Sequence, residues 1–163
     1  MILIRQAGGA DIDALCSLHA DAFGRGWSAA ELVALLRDPA VIGLVAVPGR
    51  PNGQPEGFAL ARHAAGEAEL LTIVVARDAR RRGLGGALLR HLTAALRQRA
   101  VSELFLEVSE HNLPARRFYE TFGFCEVGRR AGYYASEGGA DALILRAAFD
   151  AIDAQDMRLH NLD

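Results

Sequence analysis

The stretch LLTIVVARDARRRGLGGALL, residues 70–89, constrains this chain more than any other. It opens with a short apolar run carrying β-branched Thr72, Ile73, Val74 and Val75, which predicts a strand buried on both faces. It closes with Ala87, Leu88 and Leu89, which together with Leu92 begin an amphipathic helical pattern. Between them lies a turn of arginine and glycine. Such a turn from strand to helix aims unpaired backbone N–H groups at one spot, where the helix dipole adds partial positive charge. Glycines let a large anion approach the backbone, and Arg77, Arg80, Arg81 and Arg82 add charge and forked donors. The stretch therefore predicts a site for a phosphorylated ligand. A Walker loop requires a lysine, and the chain contains none. A dinucleotide fingerprint fits poorly, because Leu88 stands where the third small residue belongs.

Composition narrows the remaining classes. A chain of 163 residues suits one domain with a full core, expected over residues 1–147 and followed by a polar tail, 148–163, read as a short helix or a loose end. The net charge of −2 gives no general attraction to nucleic acid or to an anionic membrane. The basic residues cluster at 77–90 and 129–130, which suits a phosphate site better than a nucleic-acid track. Cys16 and Cys125 form no CxxC, and the histidines form no HExxH, so no metal site is expected. Two free thiols in a reducing cytosol is the simplest reading, with a single disulfide left open. No leader pattern opens the chain and no apolar run reaches membrane-spanning length, so a cytoplasmic protein is expected.

Taken in order, residues 1–6 read as a strand. A helix follows with Asp11 as N-cap, carrying Ile12, Leu15, Leu18 and His19 at helical spacing and ending at Gly24. Ser28 and Glu31 form a capping box for a second short helix with Leu32, Leu35 and Leu36 buried, stopping before Pro39. Residues 41–47 and 57–63 read as a hairpin around an open turn at 48–55. After the central strand, a helix with Leu84, Leu88, Leu89, Leu92 and Leu96 runs to about residue 100. Residues 101–108 read as a strand. Asn112 caps a helix through Phe122, with Pro114 in its first turn and Gly123 as its stop. A final hairpin turns around Gly138 and Gly139. The order β-α-α-β-β-β-α-β-α-β-β predicts an α/β fold with a mixed, mostly antiparallel sheet flanked by helices and a helical crossover between strands 4 and 5.

Arg80-Arg81-Arg82-Gly83-Leu84-Gly85 fills the pattern R/Q-x-x-G-x-G/A and resembles the acetyl-CoA loop of the GCN5-related N-acetyltransferase (GNAT) superfamily. The segments AELLTIVVARDARRRGLGGALL, LFLEVSEHNLPARRFYETFGF and RRAGYY, with Trp27-Ser28 near the N-terminus, are similar to its bacterial RimI type. That type acetylates the N-terminal alanine of a small-subunit ribosomal protein. The resemblance implies an acetyl-CoA-dependent N-acetyltransferase of the GNAT fold, acting on a protein N-terminus, without direct nucleic-acid or membrane contact, as a monomer or weak dimer. It implies that the backbone of Ile73, Val74 and Val75 pairs with the pantetheine arm like an added strand. It places the pyrophosphate on Arg80, Arg81, Arg82, Gly83, Leu84, Gly85 and Gly86, and a coenzyme A contact on Asn112, which also reads as a helix cap.

Acetyl transfer to an amine needs a base, an acid and an oxyanion donor. An α-amino group titrates near roughly 7.7–8.0, so much of it arrives protonated at neutral pH. Glu107 matches the family's base. Strand alternation puts Leu104, Leu106 and Val108 on one face and Glu107 with Phe105 on the other, so Glu107 is expected beside an aromatic and partly out of water. Tyr119 matches the family's acid for the departing thiolate. Phe118 and Phe122 are expected to form the buried stripe of its helix, leaving Tyr119 turned about 100° away from Phe118. The Val75 N–H is the implied oxyanion donor. Trp27, Tyr133 and Tyr134 are candidates for the acceptor groove or for core. Glu126 and Arg129 either meet an acceptor or are solvated. Two other functions stand beside this one: a GNAT acetylating a small-molecule amine, and a non-catalytic acyl-CoA sensor, which would have no chemical need for Glu107 and Tyr119.

Overall fold

The computed structural model describes residues 1–49 and 52–160. Residues 50 and 51 of the expected 48–55 turn and residues 161–163 of the expected tail lie outside the described residues. The element order is β1 (Ile2–Gln6), α1 (Ile12–Phe23), α2 (Ala29–Arg37), β2 (Val41–Pro48), β3 (Gly57–Ala64), β4 (Glu67–Val75), α3 (Leu84–Arg97), β5 (Glu103–Ser109), α4 (Leu113–Thr121), β6 (Cys125–Tyr134), β7 (Ala140–Ala148) and α5 (Phe149–His160). This is the predicted order with one helix added. The seven-stranded sheet runs β1-β2-β3-β4-β5-β7-β6, and it is mixed. The β4–β5 pair is parallel, and the other registered neighbours, β1–β2, β2–β3, β5–β7 and β6–β7, are antiparallel. Among the described residues, no helix is long and apolar enough to cross a membrane.

The chain divides into two compact units, Met1–Ala64 with Leu70–Ala100, and Ala65–Glu69 with Val101–Asp163. In the first, odd-numbered Val41, Val45 and Val47 of β2 join Leu15 of α1, Leu32 of α2, Phe58, Leu60 and Val74 in one core. The opposite face carries small residues. Ala46 of β2 pairs with Gly57 of β3, and Ala59 and Ala61 alternate onwards from it. This face receives α3, which packs on β1, β2 and β3. Its leucines 84, 88, 89, 92 and 96 are all buried, as predicted. Gly57 is needed there, since a Cβ would stand 2.8 Å from the Val74 carbonyl oxygen.

The second unit packs Leu104, Leu106 and Val108 of β5 and Leu143, Leu145 and Ala147 of β7 into one buried face. The residues read as a polar tail form α5. Its Phe149 and Ile152 are fully buried, and each is worth about 1.5–3 kcal/mol of burial. The Phe149 N–H donates to the Ser102 carbonyl at 3.0 Å.

Three local expectations need correction. Asp11 does not cap α1 with its side chain; its carboxylate accepts the Gly8 N–H at 2.8 Å and the Arg5 guanidinium at 2.7 Å instead. Helix α4 ends at Thr121, one residue short of Phe122. The β4 run is not buried on both faces. Ala68, Leu70, Thr72 and Val74 are buried, whereas Leu71, Ile73 and Val75 are half-buried. An apolar run therefore covers one face fully and leaves the other partly open.

Candidate active site

The strand–loop–helix stretch lies in the first unit. Gly83 is the N-cap of α3 in the left-handed region, φ 81° and ψ 6°, with no side-chain cap. The first helical bond runs from the Ala87 N–H to the Gly83 carbonyl. Helix geometry therefore leaves the N–H groups of Leu84, Gly85 and Gly86 without an intrahelical acceptor. A Cβ on Gly83 would meet nothing within 4 Å, so open space lies in front of this helix start. These donors, with arginines around them, fit a diphosphate.

The three arginines of the motif are not equivalent. Arg80 donates its Nε to the Val75 carbonyl at 3.2 Å. Arg82 pairs with Glu56 at 3.0 Å, and the Glu56 carbonyl in turn accepts the Ala76 N–H at 2.7 Å. Arg81, exposed at φ 62°, has no ion pair among the described residues. Glu56, 26 positions from Arg82, carried no local signal. A cavity of about 500 Å³ lies beside the end of β4, lined by Leu18, Asp21 and Ala22 of α1 and by residues 75–78 and Arg80. Trp27 stacks on His19 with ring centroids 4.2 Å apart and packs against the core that holds Val74. The Trp27 backbone N–H donates to His19 Nδ1 at 3.0 Å. Burial holds the His19 imidazole below its ordinary pKa, against a smaller upward pull from Glu31.

The second unit holds Glu107, Asn112, Tyr119, Tyr133 and Tyr134. Glu107 lies on the β5 face opposite the core, as alternation required. Its Oε1 is 2.9 Å from Nη2 of Arg130, an ion-pair partner the sequence did not reveal. Asn112 Oδ1 accepts the Ala115 N–H at 3.3 Å, which leaves its amide nitrogen for a second partner. Tyr119 departs from expectation. It is buried, whereas Phe118 is only half-buried, because its ring packs edge-on against Phe118 and Phe124. Burial pushes its phenol well above the ordinary value, so the hydroxyl keeps its proton and has the form an acid requires. Tyr133 is exposed and stands edge-on to half-buried Tyr134. Burial, and next the Glu107 charge, raise the Tyr134 phenol. Arg129 is taken up by Glu126 at 2.6 Å and by Glu110 and Asp141 at 3.4 Å. Cys16 and Cys125 are free thiols.

A strand running into a helix opened by a left-handed glycine, on a mixed sheet of this order, defines an α/β protein built to take a diphosphate-bearing ligand. Residues 12–124 match the acetyltransferase (GNAT) family, and the chain belongs to it. Over 95 residues it is 42% identical to the ribosomal protein bS18-alanine N-acetyltransferase of Escherichia coli. That match covers 58% of this chain and 64% of the relative, so the chain spans just under two thirds of that protein's length. It is also 36% identical over 92 residues to streptothricin acetyltransferase of Streptomyces lavendulae, covering 53% of this chain and 49% of that protein. The crystal structure of the ribosomal-protein-S18-alanine N-acetyltransferase from Escherichia coli superposes with a TM-score of 0.80 at 32% identity, over 91% of this chain and 94% of that chain.

Proposed function

We propose that this protein is an acetyl-CoA-dependent N-acetyltransferase of the cytoplasm. Its acceptor is a protein N-terminus, led by the N-terminal alanine of a small-subunit ribosomal protein. The observation that carries the activity is the α3 start, where three backbone N–H groups lack acceptors beside a glycine N-cap and an arginine cluster. The acceptor class rests on the likeness to the bS18-alanine enzyme.

In this reading the α3 N-terminus and Arg81 hold the pyrophosphate, and the half-buried edge of Ile73 and Val75 offers backbone groups to the pantetheine arm. Acetyl-CoA supplies the activated acyl group when bound. Glu107 accepts the proton of the acceptor ammonium, so that the free amine attacks the thioester carbon. The family resemblance makes the Val75 N–H the donor to the developing oxyanion. As the C–S bond breaks, Tyr119 donates its phenolic proton to the departing thiolate, the attacking nitrogen gives up its second proton to solvent to leave the neutral amide, and Tyr119 is reprotonated from solvent. Tyr119 carries this role on its match to the family's acid, and burial keeps its hydroxyl in the protonated form until the thiolate departs.

The likeness to streptothricin acetyltransferase favours one competing reading, acetylation of a small amine. Purified protein incubated with acetyl-CoA and a panel of amines separates the two. The panel holds a peptide beginning Ala-Arg, peptides beginning Met or Ser, a blocked peptide with an internal lysine, spermidine and an aminoglycoside. Intact mass and thiol release are the readouts. Acetylation confined to free α-amines, led by alanine, is expected; acetylation of the small amines alone overturns the acceptor assignment. Glu107→Gln is expected to lower turnover by about 10²- to 10⁴-fold, the usual contribution of a general base, with acetyl-CoA affinity preserved. A large loss of that affinity would contradict the base role.

A further inference from the structure

Arg130 and Glu107 sit on strands that are not neighbours, since β7 lies between β5 and β6. The register explains how they meet. Glu107 pairs with Ile144, which pairs with Gly128; in the adjoining row, Ser109 pairs with Ala142, which pairs with Arg130. Arg130 lies two residues beyond Gly128 and so shares the Glu107 face. Two strand spacings amount to about 9.5 Å, a gap that only two long side chains can close. The β7 residue opposite Arg130 is the small Ala142, which leaves room for the arginine stem, while in the next row Ile144 leans over Gly128, where a Cβ would stand 3.3 Å from its Cδ1. The neighbouring Arg129 points the other way and is held by three carboxylates, so the two arginines have different tasks.

The Arg130–Glu107 pair is built to open. Both side chains reach solvent, at 55% and 24% exposure, and exposed pairs hold weakly. The ladder loses its regular register between Arg130 and Tyr134, and Gly132 within that segment has φ +63°. The guanidinium already lies 5.4 Å from the Tyr133 ring centroid, a cation–π partner that can keep it when the carboxylate is given up.

We propose that Arg130 is a placeholder for the cationic acceptor amine. Its guanidinium neutralises Glu107 until a protonated amine replaces it, charge for charge, and then yields its proton to that carboxylate. The proposal rests on Glu107 being the base. The proton moves from the acceptor nitrogen to Glu107, and Arg130 stays protonated throughout. Arg130 is a positioning and selecting residue: the acceptor must bring its own positive charge to displace it.

The test is steady-state kinetics with acetyl-CoA and a peptide bearing a free N-terminal alanine. At low ionic strength, Arg130→Gln is expected to lower the KM for the peptide three- to fivefold with kcat within twofold, because the competing cation is gone. High salt is expected to erase the gain by screening the pair in the parent protein. Arg130→Lys, which keeps the cation, is expected to behave as the parent. Arg130→Met serves in place of Arg130→Gln should the latter fold poorly, with the same expected KM. In peptide binding by calorimetry, Arg130→Gln is expected to add nothing in a Glu107→Gln background. An unchanged or higher KM, an equal gain in Arg130→Lys, or an equal effect without the Glu107 carboxylate overturns the proposal. Failure of the base reading shows separately, as undiminished kcat in Glu107→Gln.

Discussion

Two helices of the first unit begin in opposite ways. At α2, Ser28 is extended, its Oγ accepts the Glu31 N–H at 3.1 Å, and Glu31 Oε2 accepts the Ser28 N–H at 2.7 Å. The preceding Trp27 N–H is taken by His19. At α3, Gly83 offers no side chain to cap the first turn. Both starts carry the same unsatisfied donors by geometry. A start completed by its own side chains contributes to folding alone. A start left open costs folding that contribution and keeps its donors for an anion from outside.

The largest expected effect that separates the two starts is at Gly85. Gly85→Asp places a carboxylate in the first turn of α3, where it suits the dipole and satisfies a backbone donor. Thermal stability is expected to hold or rise. The same charge meets the pyrophosphate, and acetyl-CoA affinity is expected to fall by about 100-fold, or about 2.7 kcal/mol. Calorimetric titration with acetyl-CoA checks this; unchanged affinity would sink the assignment of α3 as the phosphate site.

The reverse experiment is at α2. Ser28→Ala removes a cap worth about 1 kcal/mol, so a lower melting temperature is expected with acetyl-CoA affinity intact. A matching loss of affinity would mean that the two starts do not differ in function.

The smallest effect is that of pH. His19 accepts the Trp27 N–H through Nδ1, which requires the neutral ring. Its folded pKa lies below the ordinary value, while the unfolded chain titrates near about 6.5. The stability contributed is full above that unfolded value and is lost as pH falls through the folded one. The α2 start is thus expected to loosen in mild acid. The α3 start holds the Arg82–Glu56 pair, with no imidazole bonded to its first-turn N–H groups among the described residues, and is not. Amide hydrogen exchange at Trp27 and at Leu84, followed from pH 7 to pH 5, compares them; equal acceleration at both would remove the distinction.

What was legible in the sequence is what lies within a turn or two of helix, or within one strand. The strand, loop and helix at residues 70–89, the Ser28–Glu31 box, the Asn112 cap, the leucine stripe of α3 and the face carrying Glu107 are all set by neighbours one to four residues away. The expected element order and the GNAT resemblance follow from those local signals taken together. Residues 148–160 read either as a short helix or as a loose end, and the choice between them waited on the fold, because Phe149 and Ile152 dock α5 only once a surface exists to receive them.

Tertiary structure alone decided which partner a charged group meets across the sheet or a loop. Glu56 finds Arg82 across 26 residues, and Arg130 finds Glu107 through the register of a third strand. It also decided that Tyr119 is buried more deeply than Phe118. A local pattern tells which face of an element a side chain leaves from. It does not say what stands opposite, because that depends on strand order and on a register where a shift of one residue reverses every face.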